Sequence, residues 1–62
     1  MARIKGVELP NEKRIEIALT YIYGIGRNLA NKILKEANVD KDKKAGELDS
    51  DEIVRIRHEV NK

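Results

Sequence analysis

The sequence predicts a small all-α domain of three helices, preceded by an extended N-terminal arm. Two stretches with apolar residues at helical spacing flank a Gly-Ile-Gly corner, a third stretch begins with a capping sequence, and 62 residues allow only one domain. The predicted segments of this single domain are an arm at 1–10, helices at 12–22, 27–37 and 50–62, a hairpin at 23–26 and a loop at 38–48.

The composition restricts the class of protein. Charged residues make up 39% of the chain and apolar residues 40%, which is too apolar for a disordered segment and too interrupted for a membrane span. The chain has no Cys, Trp or Phe, so helix packing must stabilise it without disulfides. No stretch resembles a secretory signal, and we expect a cytoplasmic protein, monomeric when isolated.

The sequence shows no arrangement of residues typical of a catalytic or metal site. His58 has no second His or Cys for a metal site, and no Ser has a visible His and Asp partner. We therefore predict no enzyme activity, no metal, no cofactor and no small-molecule substrate.

The first helix follows an arm of alternating apolar and charged residues. Pro10 disfavours helical angles at Leu9, and Asn11 is the predicted N-cap. The apolar stripe of this helix consists of Ile15, Ala18, Leu19 and Ile22.

Two further helices have clear boundaries. The apolar residues of the second, from Leu29 to Ala37, fill one arc, and Asn38 suits the left-handed position that ends it. The third begins with Asp49 as N-cap and Glu52 as its capping-box partner. No C-cap precedes Lys62, so we expect a helix cut in mid-course and hence a fragment.

Positive charge concentrates in the first half of the chain. Residues 1–35 contain seven Lys and Arg against three Glu, a net charge of +4, whereas residues 36–62 contain six against eight, a net charge of −2. We expect an anionic partner to meet the first half.

The segment 21–34, YIYGIGRNLANKIL, is typical of a helix-hairpin-helix. Two glycines let the backbone approach a ligand closely, and free amides at the start of the second helix favour an anion. Arg27 adds a bidentate phosphate donor. The residues of this segment that are predicted to contact the phosphate backbone are Gly24, Gly26, Arg27, Asn28, Asn31, Lys32 and Lys35.

Simpler explanations exist for the same residues. Gly-x-Gly is common in tight corners, and lysines on a polar face usually only interact with water. Tyr21 and Tyr23 could stack on an unpaired base, but core packing is the expectation for both. A dinucleotide fingerprint is excluded, because a helix precedes the glycines and Leu29 stands where the third glycine would be.

The stretch ARIKGVELPNEKRIEIALTYIYGIGRNLANKIL resembles the opening of small-subunit ribosomal protein thirteen, and the resemblance covers the whole chain. It implies a helix-two-turns-helix domain related to the helix-hairpin-helix, bound to small-subunit ribosomal RNA. It also implies contacts with small-subunit protein nineteen, large-subunit RNA and large-subunit protein five. The residues that coincide with the family's motif are Arg3, Lys13, Arg14, Tyr23, Gly24, Ile25, Gly26 and Arg27.

Two departures from the family pattern matter. Ala45 and Gly46 replace a larger apolar residue and a polar one, so we expect a loosely packed loop. The basic C-terminal half that reaches transfer RNA in full-length members is absent, so we expect weaker RNA binding without that contact.

Two other functions remain open at this point. A DNA-binding helix-hairpin-helix would use the same backbone chemistry on another partner. A protein-interaction fragment, or an engineered minimal scaffold, would instead use Ile17, Tyr21 and the arm as an apolar docking face.

Overall fold

Three helices and a two-stranded sheet make up residues 3–62, the part of the chain that this computed structural model describes. The strands are β1 (Arg3–Ile4) and β2 (Val7–Glu8), and the helices are α1 (Ile15–Leu19), α2 (Arg27–Ala37) and α3 (Ser50–Val60). A 3₁₀ turn, Ala45–Glu47, precedes α3. The domain is mostly helical, and the prediction of an all-α class missed the small sheet. None of the described helices has the length and apolar character to cross a bilayer.

The predicted extended arm is a β-hairpin. Arg3 pairs with Glu8 and Ile4 with Val7, and the turn residues Lys5 and Gly6 have φ values of 52° and 76°. Two successive positive φ values are the geometry that matches the twist of paired strands. The arm therefore folds back on itself and buries Ile4 in the core. Residues 1–2 of the predicted arm lie outside the described residues.

The first helix is shorter than the predicted 12–22. Its N-cap position is Arg14 and not Asn11, because residues 11–14 turn away and Arg14 bridges to Lys44 of the loop. After Leu19 the chain continues in tighter turns, with hydrogen bonds to the third residue back up to the amide of Ile25. The hydroxyl of Thr20 donates to the Ile17 carbonyl at 2.6 Å, an alternative to a regular helical bond.

The first helix starts against the loop 38–48. The amide of Ile15 donates to the Lys43 carbonyl at 2.7 Å, and that of Glu16 to the Lys41 carbonyl at 3.3 Å. The loop thus pairs amides that a helix start leaves free. The expected loose packing of this loop is wrong: Ala45 is buried, and a Cβ at Gly46 would lie 2.9 Å from the Asn11 Cβ. Only glycine allows that approach.

The core draws on every helix and on the hairpin. It contains all four residues of the predicted α1 stripe, together with Leu9, Ile25, Ala30, Ile33, Leu34, Ala37, Val39, Ala45 and Ile56, as well as Ile4. Leu29 does not belong to it, because 43% of its surface is exposed despite its place in the predicted apolar arc. The core residues therefore follow the sequence pattern, except at the edge of the α2 arc.

Both later helices begin or end with the expected cap. Asn38 has φ 59° at the end of α2, and α3 has the complete capping box of Asp49 and Glu52. The third helix ends at Val60, with Asn61 as C-cap, two residues before the predicted end.

Glu52 also connects the loop to α3. Its carboxylate accepts a 2.8 Å hydrogen bond from Lys43 Nζ and one from the Asp49 amide at 3.0 Å. The bond from Lys43, followed by that from Asp49, lowers the pKa of Glu52, and the bond to Glu52 raises the pKa of Lys43. The lowered pKa of Glu52 stabilises the fold above the ordinary value near 4.5, and this contribution is lost as the pH falls through the folded-state pKa.

We expect Glu52→Gln to remove part of this acid sensitivity. Gln can still cap the helix, but it cannot pair with Lys43. The free energy of unfolding of the variant should lie below that of the wild type at pH 7, and the gap should narrow as the pH falls below 4.5. Urea unfolding across pH 2–7 measures this, with Glu36→Gln, an exposed glutamate of α2, as control. A gap independent of pH would contradict the assignment.

Candidate nucleic-acid interface

The corner between α1 and α2 depends on Gly24. Its φ of 89° lies in the left-handed region that side chains disfavour, and no atom lies within 4 Å of the place where a Cβ would stand. The next residue, Ile25, is 8% exposed, and its amide donates to the Ile22 carbonyl at 3.0 Å. The predicted contact residue Ile25 therefore anchors the corner in the core, and only its backbone can face a ligand.

The corner leaves a group of amides without acceptors. Within residues 3–62, no backbone hydrogen bond uses the amide of Gly24 or Gly26. The first bond of α2 runs from the Ala30 amide to the Gly26 carbonyl at 2.9 Å, and no side chain caps the helix. The amides of Arg27, Asn28 and Leu29 therefore precede the hydrogen-bonded part of the helix. All these residues are exposed, so their donors are available to an anion.

Arg27 stands beside these amides and contacts a buried carboxylate. Its Nη2 lies 3.7 Å from Oε1 of Glu16, while 66% of the Arg27 side chain remains exposed. Glu16 also lies 3.8 Å from Nη2 of Arg14. Arg14 and Arg27, which are far apart in sequence, are therefore neighbours. The sequence does not predict a role for Glu16, because a lone Glu on a short helix carries no signal of burial.

The polar face of α2 divides between two grooves. Asn31 and Lys35 line a groove of about 360 Å³ together with Lys41 of the loop. The amide oxygen of Asn31 is buried there and has no hydrogen-bond partner within the described chain. Lys32 lines a different groove, which it shares with the acidic residues Glu36 and Glu59. The predicted basic residues of α2 are therefore divided, with Lys35 in the groove of Asn31 and Lys41 and Lys32 in the other.

Lysines of the loop lie near the predicted residues Lys13 and Arg14. A backbone β-bridge joins Arg14 to Lys44, and the Glu16 amide donates to the Lys41 carbonyl. These contacts hold the loop backbone against the start of α1. Lys41 and Lys44 belong to the acidic half of the sequence, and their place became apparent only in the fold. A count of charges along the chain could not reveal them.

The remaining predicted residues lie apart from this cluster or project from it. Tyr23 is fully exposed and Tyr21 is 55% exposed, so the expected core packing of both tyrosines is wrong. Tyr23 borders a groove of about 250 Å³ that Lys5, Leu29 and Val60 also line. Arg3 lies on β1, where its carbonyl accepts hydrogen bonds from Arg57 of α3.

Comparison with known proteins agrees with the resemblance in sequence. The model of a family described as ribosomal protein S13/S18 matches residues 3–62. The chain belongs to this family. The small ribosomal subunit protein uS13 of Thermodesulfovibrio yellowstonii is 56% identical over all 62 residues. The chain spans 51% of that relative's length.

Substitutions at the two glycines of the corner should show that only Gly24 has a backbone conformation that requires glycine. Gly24→Ala forces a side chain into the left-handed region and should lower the free energy of unfolding by about 1–2 kcal/mol. Gly26 has an extended backbone, with φ −89° and ψ −178°, and open space at its Cβ position, so Gly26→Ala should change stability by less than about 0.5 kcal/mol. Urea unfolding tests both. Equal losses would contradict the described corner.

Proposed function

We propose that the chain is a structural ribosomal module that binds the phosphate backbone of small-subunit ribosomal RNA through the start of α2. The observation that carries the proposal is the set of unpaired amides of Gly24, Gly26, Arg27, Asn28 and Leu29, all of them exposed residues. Amides at a helix start point toward an anion, and the helix dipole adds roughly half a positive charge there. Contacts of this kind position a protein without reading base sequence.

The basic side chains around the corner extend the proposed contact. Arg14 lies beside Arg27 at Glu16 and is bridged to Lys44 of the loop, while Asn31 and Lys35 follow Arg27 along α2. The groove that Asn31, Lys35 and Lys41 share lies beside this row. A strand whose phosphate lies at the Gly26 and Arg27 amides would meet cations in both directions.

The finer assignment is a helix-hairpin-helix type of fold, with residues 23–26 as the hairpin. The left-handed Gly24 and the anchored Ile25 support it. Tyr23 is the first residue of this hairpin and is fully exposed, so it can stack on an unpaired base next to a bound phosphate. Arg3 and Lys32 would make outlying phosphate contacts, since neither belongs to the main cluster.

Family membership favours ribosomal RNA over the other partners considered. It implies ribosomal neighbours, such as small-subunit protein nineteen, and a cytoplasmic location within the ribosome. A DNA-binding module would share the amide site, so competition between duplex DNA and small-subunit RNA separates the two functions. An apolar docking face has less support, because Ile17 is partly buried.

Arg27→Gln should weaken RNA binding and its dependence on salt. Hydrogen bonds to charged groups contribute roughly 1.5–3 kcal/mol, so affinity should fall about tenfold or more. The slope of log affinity against log salt should become shallower by roughly 0.7–0.9, the value for one phosphate. Fluorescence anisotropy of labelled small-subunit RNA at several salt concentrations measures both quantities.

Val54→Glu is the matched control for this experiment. It changes the net charge by the same single unit at an exposed site that borders Ala37, at the far end of α2. The ten helical steps from Arg27 to Ala37 span about 15 Å, more than the screening length of about 8 Å at physiological salt. Equal losses of RNA affinity in both variants would mean that Arg27→Gln acts through net charge alone. A salt-independent affinity in the wild type would contradict phosphate binding altogether.

A further inference from the structure

Glu16 is a buried carboxylate that the proposed RNA contacts do not use. It is 4% exposed, and within residues 3–62 it is the one charged residue in the buried class. The same oxygen, Oε1, lies 3.8 Å from Nη2 of Arg14 and 3.7 Å from Nη2 of Arg27. The two arginine side chains themselves remain 49% and 66% exposed. A single buried anion therefore lies beneath two solvent-facing cations.

The shared oxygen fixes how far apart the two guanidinium groups can be. Since both Nη2 atoms approach Oε1, they lie at most about 7.5 Å from one another, the sum of the two distances. Arg14 precedes α1 and Arg27 begins α2, so the separation depends on how the helices pack. Two cations at this spacing would repel each other without the carboxylate between them.

We infer that Arg14 and Arg27 form one phosphate-binding clamp and that Glu16 is its positioning residue. The inference rests on the proposed function, and it adds a joint site to what were separate contacts. Distances of 3.7 and 3.8 Å are too long for hydrogen bonds, so the guanidinium donors are not used up by Glu16. A planar guanidinium presents five donors, and one phosphate between two of them can accept from both.

One other anion lies at the clamp. Asp42 Oδ1 is 3.4 Å from Nη1 of Arg14, and its side chain is 62% exposed. Because Asp42 is exposed, it can move into solvent when a phosphate takes its place. Glu16 cannot, because it is enclosed by the protein. Glu16 therefore stays beneath the arginines in the bound state and Asp42 is the group that the phosphate displaces.

The clamp and the net charge predict opposite effects of Glu16→Gln on RNA affinity. Glu16→Gln makes the chain more positive by one unit, and on charge alone RNA binding would tighten. If Glu16 positions the arginines, its loss leaves two mobile side chains that must be ordered on binding. The ordering of one such side chain costs a factor of about 2 to 12 in affinity.

The first test is the affinity of Glu16→Gln for small-subunit RNA, with unfolding measured in parallel. We expect affinity to fall about 5- to 160-fold, because two such side chains must then be ordered on binding. In the wild type, Arg14→Gln and Arg27→Gln should lose less together than the sum of their separate losses, and this coupling should vanish in the Glu16→Gln background. Unchanged or tighter binding by folded Glu16→Gln, or additive losses in the wild type, would overturn the clamp.

The second test needs neither RNA nor a substitution. Inorganic phosphate is titrated into the ¹⁵N-labelled wild type, and the Nε–Hε signals of its arginines are recorded. Arg14 and Arg27 should shift along one binding curve, while Arg55 and Arg57, which donate to backbone carbonyls on α2 and β1, serve as controls and stay unchanged. Separate curves, or no response, would overturn the clamp even if Glu16→Gln does not fold.

The two tests distinguish this inference from the proposed function. A joint phosphate response without RNA binding would leave the clamp and remove the RNA-binding role. If RNA affinity falls with salt as expected, but the losses in Arg14→Gln and Arg27→Gln are additive, the RNA-binding role stands and the clamp does not.

Discussion

The left-handed backbone of Gly24 is the constraint on which the rest of the interface depends. It reverses the chain between α1 and α2 within a few residues, and the buried side chain of Ile25 fixes the reversal to the core. As a result, α2 starts with exposed residues and without a capping side chain. The free donors exist because the corner is too tight to supply acceptors for them.

The basic side chains are placed by contacts that the corner makes possible. The loop before α3 pairs its carbonyls with the first amides of α1, and this brings Lys41 and Lys44 toward Arg14. Packing of α1 beside α2 then sets Glu16 between Arg14 and Arg27. Ordinary packing and hydrogen bonding therefore gather cations from both halves of the chain around one set of amides, which suits a polyanion more than a small ligand.

Local patterns predicted those parts of the fold that depend on neighbouring residues. Apolar spacing identified the buried stripe of α1, and Asp49 with Glu52 marked the start of α3. The β-hairpin was missed because Lys5-Gly6 is a weak turn signal. The length of α1 was overestimated because the loop carbonyls accept from its first amides and the Thr20 hydroxyl donates to the Ile17 carbonyl near its end. Glu16, Lys41 and Lys44 could not be predicted, since their roles depend on contacts between residues distant in sequence. The exposure of Tyr23 could not be predicted for the same reason.

The most direct test of the account follows the backbone amides of the corner by NMR as small-subunit RNA is added to the ¹⁵N-labelled chain. We expect the amides of Gly24, Gly26, Arg27 and Asn28 to shift most, and the shifts to reverse when salt is raised. The buried amide of Ile25, already bonded to Ile22, should move less. Shifts confined to α3, or none at the four corner amides while RNA binds, would contradict the central claim.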